Sequence, residues 1–448
     1  MTDVAGDAAG EAGAPGPWNV VVNEGTGEAY RLGQLLIDID DRDRLVDALP
    51  DGITIATKTV EGDEGPEEVE NIDEIDYAAL GAALEVEAPP NTLVVRLAGD
   101  PAVVDEFLRA AVAGEIEDDA GVIRVEHNTV FMADAQASPV WASPVWASGR
   151  TTNIALPADR AVTPQPSVGD GDSPSVVIIL DSGLADLDDP MNAPLLQGGN
   201  VQTPDPPEDP DENGDLVLDP VAGHGTFIAG LVELATPGVP MFVRDVMEFR
   251  GDTDVGTFMH AAVEQLIGLV GPEVGETRER FERTVIGMSF SGPMSADEKR
   301  FTYEGLRFFG ELGIVVVAAA GNDSTCDRMY PAAFGDPSRP SGLENVVSVG
   351  ALGRCGPAAF TNHGPWVRAC AEGEMLTSSF FSYDEPHGGF RQFNGWAQWS
   401  GTSFSVGVVM GAFVREMWAT GETAVEVVRR LVDQPGLPSV HNLGTIVS

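Results

Sequence analysis

The sequence predicts an α/β fold with a mostly parallel central sheet flanked by helices, preceded by a small α+β region. Two observations predict it. From Ser175 onward, short continuous apolar runs recur at Ser175–Leu180, Val239–Val243, Thr284–Met288, Ile314–Ala320 and Asn345–Gly350. Runs without alternation read as strands buried on both faces. Segments of helical character separate them, at Gly225–Ala235, Val255–Val270, Ala296–Leu312 and Thr402–Trp418. Strand alternating with helix implies parallel pairing through helical crossovers, and ligand chemistry in such sheets gathers at the carboxyl ends of the strands.

The elements before that domain follow in order. Residues 1–17 are small, acidic and Gly/Pro-bearing, and read as a disordered tail. Residues 18–133 read as one compact α+β unit. The acidic stretch Glu61–Asp76 is expected to be a solvated loop. Asn91–Gly99 reads as a strand, and Pro101–Ala113 as a helix with Val104, Phe107, Leu108 and Val112 on one face. Gly121–Ala133 alternates like a strand. Residues 134–173 form a Pro-rich connector in which the pentad Ser-Pro-Val-Trp-Ala occurs twice, at Ser138–Ala142 and Ser143–Ala147. Residues 174–448 make the α/β domain.

Charge excludes several functions. The 448 residues include 71 acids against 25 bases, a net charge of −46, and the only lysines are Lys58 and Lys299. Phosphate binding needs clustered Lys and Arg, so nucleic acid is not the expected partner, nor is an anionic membrane surface. The first 150 residues hold 31 acids and 8 bases, half of the net charge. No apolar run is long enough to span a bilayer and the N-terminus lacks a basic-then-apolar leader, so a cytoplasmic location is expected. Three cysteines, Cys326, Cys355 and Cys370, do not describe a disulfide scaffold. Cys326 and Cys355 are read either as a pair across a loop or as free thiols.

Four residues at predicted strand and helix ends carry chemistry. Asp181 closes the first apolar run in Asp-Ser-Gly, where a carboxylate could support a histidine cation. His224 stands between Gly223 and Gly225 at the start of an apolar helix, and a neutral imidazole accepts a hydroxyl proton. Ser403, in Gly401-Thr402-Ser403, opens a helix of small residues. Asn322 follows Ala319-Ala320-Gly321 at the end of a buried strand, and its amide could donate to an oxyanion. Each alone is explained without chemistry, as a turn Asp, a capping His, an N-cap Ser and a turn Asn. Together, in this order within one α/β domain, they resemble the subtilisin-like serine proteases, or subtilases (peptidase S8).

The resemblance covers about Ser175 to Leu431 and implies a subtilisin-like fold for 174–448. By resemblance Ser403 is the nucleophile, His224 the general base, Asp181 its support, and Asn322 an oxyanion donor. Val285–Pro293 resembles the family's substrate-binding strand, so Ser289, Phe290, Ser291 and Gly292 are expected to pair with substrate backbone. Phe249–Val263 resembles the loop and helix bordering the unprimed subsites. Ala319, Ala320 and Gly321 would wall the pocket for a sizeable apolar P1 residue. The family's proline shortly after the nucleophile is absent, since Ser405-Val406-Gly407 stands there, and a looser helix start is expected.

The resemblance implies a serine endopeptidase acting on proteins or peptides, with no required cofactor. Calcium is common in the family but has no placed site here. Asp209, Asp211, Asn213 and Asp215 begin like a calcium loop, but the twelfth position is Pro220, so a solvated acidic loop is the favoured reading. Asn91–Ala133 resembles the second half of a subtilase propeptide, whose last strand would be Gly121–Glu126. The connector is read either as the place of autoprocessing or as an extended spacer whose Trp141 and Trp146 pack on either domain, and residues 18–133 either as a prodomain-like or as a permanent regulatory domain. The alternatives are a latent protease switched on by a regulatory protein partner in a stress or defence setting, and a catalytically silent peptide-binding homologue.

Overall fold

A computed structural model describes residues 20–22, 28–62, 65–118, 121–133, 175–202, 206–216, 218–294, 300–384 and 392–448. The expected tail 1–17 and the connector 134–173 with its doubled pentad lie outside the described residues. The chain divides into two compact units, Met1–Ile75 with Pro90–Thr129, and Asp76–Pro89 with Val130–Ser448.

In the first unit, strand Ala29–Asp38 pairs antiparallel with Thr92–Ala98, Leu35 opposite Val95. Helix Pro101–Val112 begins at Asp100, whose side chain accepts from the amides of Ala102 and Val103. Pro101 suits the first helical position because its missing N–H would have no partner there. The helix buries Val104, Phe107, Leu108 and Ala111 in one cluster with Leu35, Val95 and Leu97, so Ala111 rather than Val112 completes the expected face. The stretch expected as a solvated loop is instead paired. Thr57–Gly62 and Gly65–Glu70 form a hairpin, and Ile72–Ile75 adds antiparallel to Thr92–Ala98. The Thr57 and Thr59 hydroxyls donate to Glu68 across the hairpin, and Lys58 pairs with Asp73. Partnered carboxylates on an exposed face do not oppose strand pairing.

The second unit carries a sheet of buried strands. Its order is Val201–Gln202, Met241–Asp245, Val176–Asp181, Thr284–Met288, Val315–Ala319, Val346–Gly353, Ala369–Glu372, Gly444–Ile446 and Ser439–Val440. Every pairing along that path is parallel except the last. The five predicted strands are those at the centre, each ending within a few residues of its expected position. Chain order reverses at Val176–Asp181, which pairs with Met241–Asp245 on one side and Thr284–Met288 on the other. A reversal opens a crevice at the carboxyl ends of the strands, and Asp181 is the last residue of that strand.

Helices His224–Ala235 and Thr402–Thr420 pack on each other in the core of this unit. They approach closely because Gly407 and Gly411 face the first helix: a Cβ at Gly411 would lie 2.5 Å from that of Ala235. Helix Tyr77–Leu84, early in the sequence, also belongs to this unit, with Tyr77 edge-on to Phe308. Val130–Met132, the end of strand Val125–Met132, pairs antiparallel with Asp252–Asp254 of the same unit. No helix among the described residues is long and apolar enough to cross a membrane.

Candidate active site

Asp181 reaches the site because its strand lies at the chain reversal. It is fully buried, and its Oδ1 accepts from the Ser182 amide at 2.8 Å and lies 2.7 Å from His224 Nδ1. With the carboxylate accepting, Nδ1 carries the hydrogen and Nε2 keeps its lone pair. His224 is the first residue of helix His224–Ala235, and both flanking glycines are required by contact. A Cβ at Gly223, which has φ +76°, would sit 2.3 Å from the Phe380 ring, and one at Gly225 would sit 2.4 Å from the Gly183 carbonyl oxygen. Trp399 meets the imidazole edge-on at 5.3 Å and Phe404 lies against it at 5.1 Å between centroids. These rings exclude water and confine the histidine to one orientation.

Ser403 is the second residue of helix Thr402–Thr420 and its Oγ donates to the Ser289 carbonyl at 3.1 Å. Asn322 joins the same helix start, its Oδ1 accepting from the Thr402 amide at 2.9 Å. That bond directs the Asn322 Nδ2 toward Gly401, where a Cβ would lie 3.5 Å from it. Asn362 secures the turn that carries Asn322, because its side chain donates to the Ala320 carbonyl and accepts from the Asp323 and Thr325 amides. The looser helix start expected from the missing proline is not found. The Ser405 hydroxyl donates to the carbonyls of Ala371 and Glu372 and ties the first turn to the sheet.

The other expected residues divide. Ser291 exchanges both backbone hydrogen bonds with Met132, at 3.0 and 3.1 Å, so the expected substrate strand pairs with a strand of the chain itself. Ala319, Ala320 and Gly321 are buried beside Asn322. In the acidic loop, Asp209 accepts from the Asp211 amide, Asp211 from Asp215 and Leu216, and Asn213 from Asp215. These oxygens serve the loop's own backbone, and among the described residues no group of three or more His, Cys, Asp or Glu is arranged to hold a metal. Cys326, Cys355 and Cys370 are free thiols, the last buried and pushed up to about 12 by that burial.

Glu208 is a neighbour of the site that sequence reasoning missed. Its Oε1 accepts from the Gly223 amide at 2.7 Å, bracing the turn before His224, and burial raises its pKa well above the usual carboxylate range. Nothing in the acidic run separates it from the carboxylates around it. It lines a cleft of about 390 Å³ beside Ser182, together with Glu212, Asp219, Asp245 and Arg244. Asp219 is buried and pushed up to about 6, chiefly by burial and then by the charges of Asp211, Asp215 and Glu212. Its folded pKa thus lies above its unfolded one, so its stabilising effect is full below about pH 4 and is lost as pH rises through about 6. The expected loss is about 1–2 kcal/mol after allowing for water at the cleft mouth. Thermal melts of the Ser403→Ala protein from pH 4 to 8 should show stability falling, with a shallower slope in Asp219→Asn. Equal slopes would dismiss Asp219 as a contributor.

The subtilase family (peptidase S8) matches residues 172–433. Mycosin-1 of Mycolicibacterium smegmatis is 36% identical over 115 residues, and Mycosin-1 of Mycobacterium tuberculosis 34% identical over 116. Each match covers 22% of this chain and 25% of the relative, so the chain spans about a quarter of the length of these curated relatives. A cold adapted subtilisin-like serine proteinase of known structure is 17% identical, with a TM-score of 0.39, over 61% of this chain and 86% of the other. The family match takes in Asp181, His224, Asn322 and Ser403 and covers more than half of the chain, which belongs to the subtilase family.

Proposed function

We propose that the chain is a serine endopeptidase using Ser403, His224, Asp181 and Asn322. The single observation that carries this reading is the 2.7 Å contact between buried Asp181 and His224, at the carboxyl end of a sheet whose neighbouring strand ends next to Ser289, the residue that takes the Ser403 hydroxyl. Ser403 Oγ adds to the scissile carbonyl carbon as its proton passes to His224 Nε2. The resulting oxyanion is met by Asn322 Nδ2 and the Ser403 amide at the helix N-terminus. The C–N bond breaks as His224 returns the proton to the leaving amine. Water then adds to the acyl-enzyme with His224 again as base, releasing the acid and restoring the Ser403 hydroxyl.

Asn322→Ala is expected to lower kcat about 10²–10³-fold with little change in KM, because the donor acts on charge present only in the transition state. Steady-state kinetics on a fluorogenic peptide check it. A rise in KM at constant kcat would instead make Asn322 a substrate-binding group.

A second reading, latency relieved by self-cleavage, is favoured by the chain's own strand in the cleft. Val130–Met132 pairs with Asp252–Asp254, the Met132 amide donates to Ser291 and the Ala133 amide to Gly251. Ser289 lies two residues before Ser291, and its carbonyl takes the Ser403 hydroxyl. An antiparallel guest in this register is therefore cut two residues beyond the one facing Ser291. For this chain that bond is Asp134–Ala135, just ahead of the doubled pentad. Fluorophosphonate labelling tests the nucleophile. Failure of the processed protein to label at Ser403 would favour a silent peptide-binding homologue.

A further inference from the structure

The N-cap residue of helix His224–Ala235 is Gly223, at φ +76°, which has no side chain to cap the helix. His224 therefore stands between two glycines, and the backbone around the imidazole is free to turn unless outside groups hold it. Two groups do. Glu208, fifteen residues upstream, accepts from the Gly223 amide at 2.7 Å through Oε1, and the Ser182 hydroxyl accepts from the Gly225 amide at 3.1 Å. Ser182 faces the same Glu208 carboxyl, and its own amide donates to Asp181 Oδ1 at 2.8 Å. Glu208 is in turn fixed just beyond the Asp181 strand. Its amide donates to the Leu184 carbonyl at 2.9 Å, and a Cβ on Gly183 would lie 3.3 Å from Glu208 Cβ. The histidine and its supporting carboxylate thus share one connected brace, running from Gly223 through Glu208 and Ser182 to Gly225.

We infer that Glu208 is a positioning residue for His224: acting with Ser182, it fixes both glycines beside the imidazole and so holds the ring on Asp181 in the orientation in which Nε2 serves as the base. This rests on the endopeptidase reading above. Its carboxyl acts on the backbone that carries the base, not on the reacting atoms. Burial, together with the nearby Asp245 and Asp181 carboxylates, raises its pKa well above the usual range and favours the uncharged acid. Asp209, Glu212, Asp219, Arg244 and Glu248 are the other charged groups around the same cleft. In the uncharged form one oxygen still accepts from Gly223, and no further negative charge stands beside the Asp181–His224 pair. Glutamine reproduces that acceptor without charge, whereas alanine takes it away from the Gly223 amide. Misplacing a catalytic group by about 1 Å costs up to about 100-fold in rate.

The test compares Glu208→Gln and Glu208→Ala in the full-length protein, by steady-state kinetics on a fluorogenic peptide and by the low-field proton resonance of His224 Nδ1–H. Glu208→Ala is expected to lower kcat about 10–100-fold with KM within about twofold, and to broaden or lose the resonance as the His224–Asp181 contact loosens. Glu208→Gln should stay within about threefold of wild type in kcat and keep the resonance. Wild-type kcat in Glu208→Ala would overturn the inference, as would equal losses in both variants. Thermal melts first establish that each variant is folded. Where Glu208→Ala does not fold, Ser182→Ala takes its place, with a fall in kcat at constant KM expected and an unchanged kcat overturning the inference. If wild type neither cuts the peptide nor labels with fluorophosphonate, the peptidase reading fails and the resonance alone decides. A signal in Glu208→Ala as sharp as in wild type would then remove Glu208 as the brace of the histidine.

Discussion

Ser403→Ala is expected to lower kcat by about 10⁶-fold and to leave the chain at full length. The nucleophile, base and supporting carboxylate act as a unit, so loss of the attacking oxygen removes nearly all that the three supply together. The substitution deletes one buried hydrogen bond, to the Ser289 carbonyl, and adds no bulk, so the fold should survive with a change of about 1 kcal/mol. Intact-mass spectrometry of wild type beside Ser403→Ala checks the expectation. Wild type should carry a species beginning at Ala135, and the variant only the uncut chain. Two uncut chains would end the autoprocessing reading, whereas identical cleavage in both would assign the cut to another protease.

Asp181→Asn is expected to lower kcat about 10⁴-fold while leaving the folded structure in place. The carboxylate accepts from His224 Nδ1 and from the Ser182 amide through one oxygen. Asparagine preserves size but removes the charge, and where its NH₂ takes the place of that one oxygen it can accept from neither partner. Facing the imidazole, that group favours hydrogen on Nε2, the nitrogen needed as the base. The histidine has no easy alternative orientation, because Trp399 and Phe404 flank it. Loss of activity should therefore appear in kcat with KM nearly constant. Activity within about tenfold of wild type would show that geometry alone, without the negative charge, suffices.

Much of the candidate site was legible because each part sits in a local setting that needs a particular residue. Gly223 and Gly225 mark the histidine turn, since any side chain there would overlap Phe380 or the Gly183 carbonyl. The five apolar runs marked the central strands because both faces of a parallel sheet are covered. Less was legible where the outcome depends on a distant partner. The acidic stretch after Glu61 looked solvated, yet it pairs, with Thr57 and Thr59 holding Glu68 and Lys58 holding Asp73. The missing proline suggested a loose helix, yet Ser405 finds the Ala371 and Glu372 carbonyls across the core.

By itself, the sequence determined the family and the α/β order of elements, and it singled out the four candidate residues Asp181, His224, Asn322 and Ser403, all through local patterns of residue type and spacing. Only the tertiary structure decided that Val130–Met132 pairs with Asp252–Asp254 and Met132 with Ser291, that Glu208 braces the His224 turn, and that Phe258 and Phe290 close on Phe131. The physical reason is that strand addition uses backbone groups every residue possesses, and an aromatic pocket is made by side chains brought together across more than a hundred residues. Neither leaves a mark at the position where it acts.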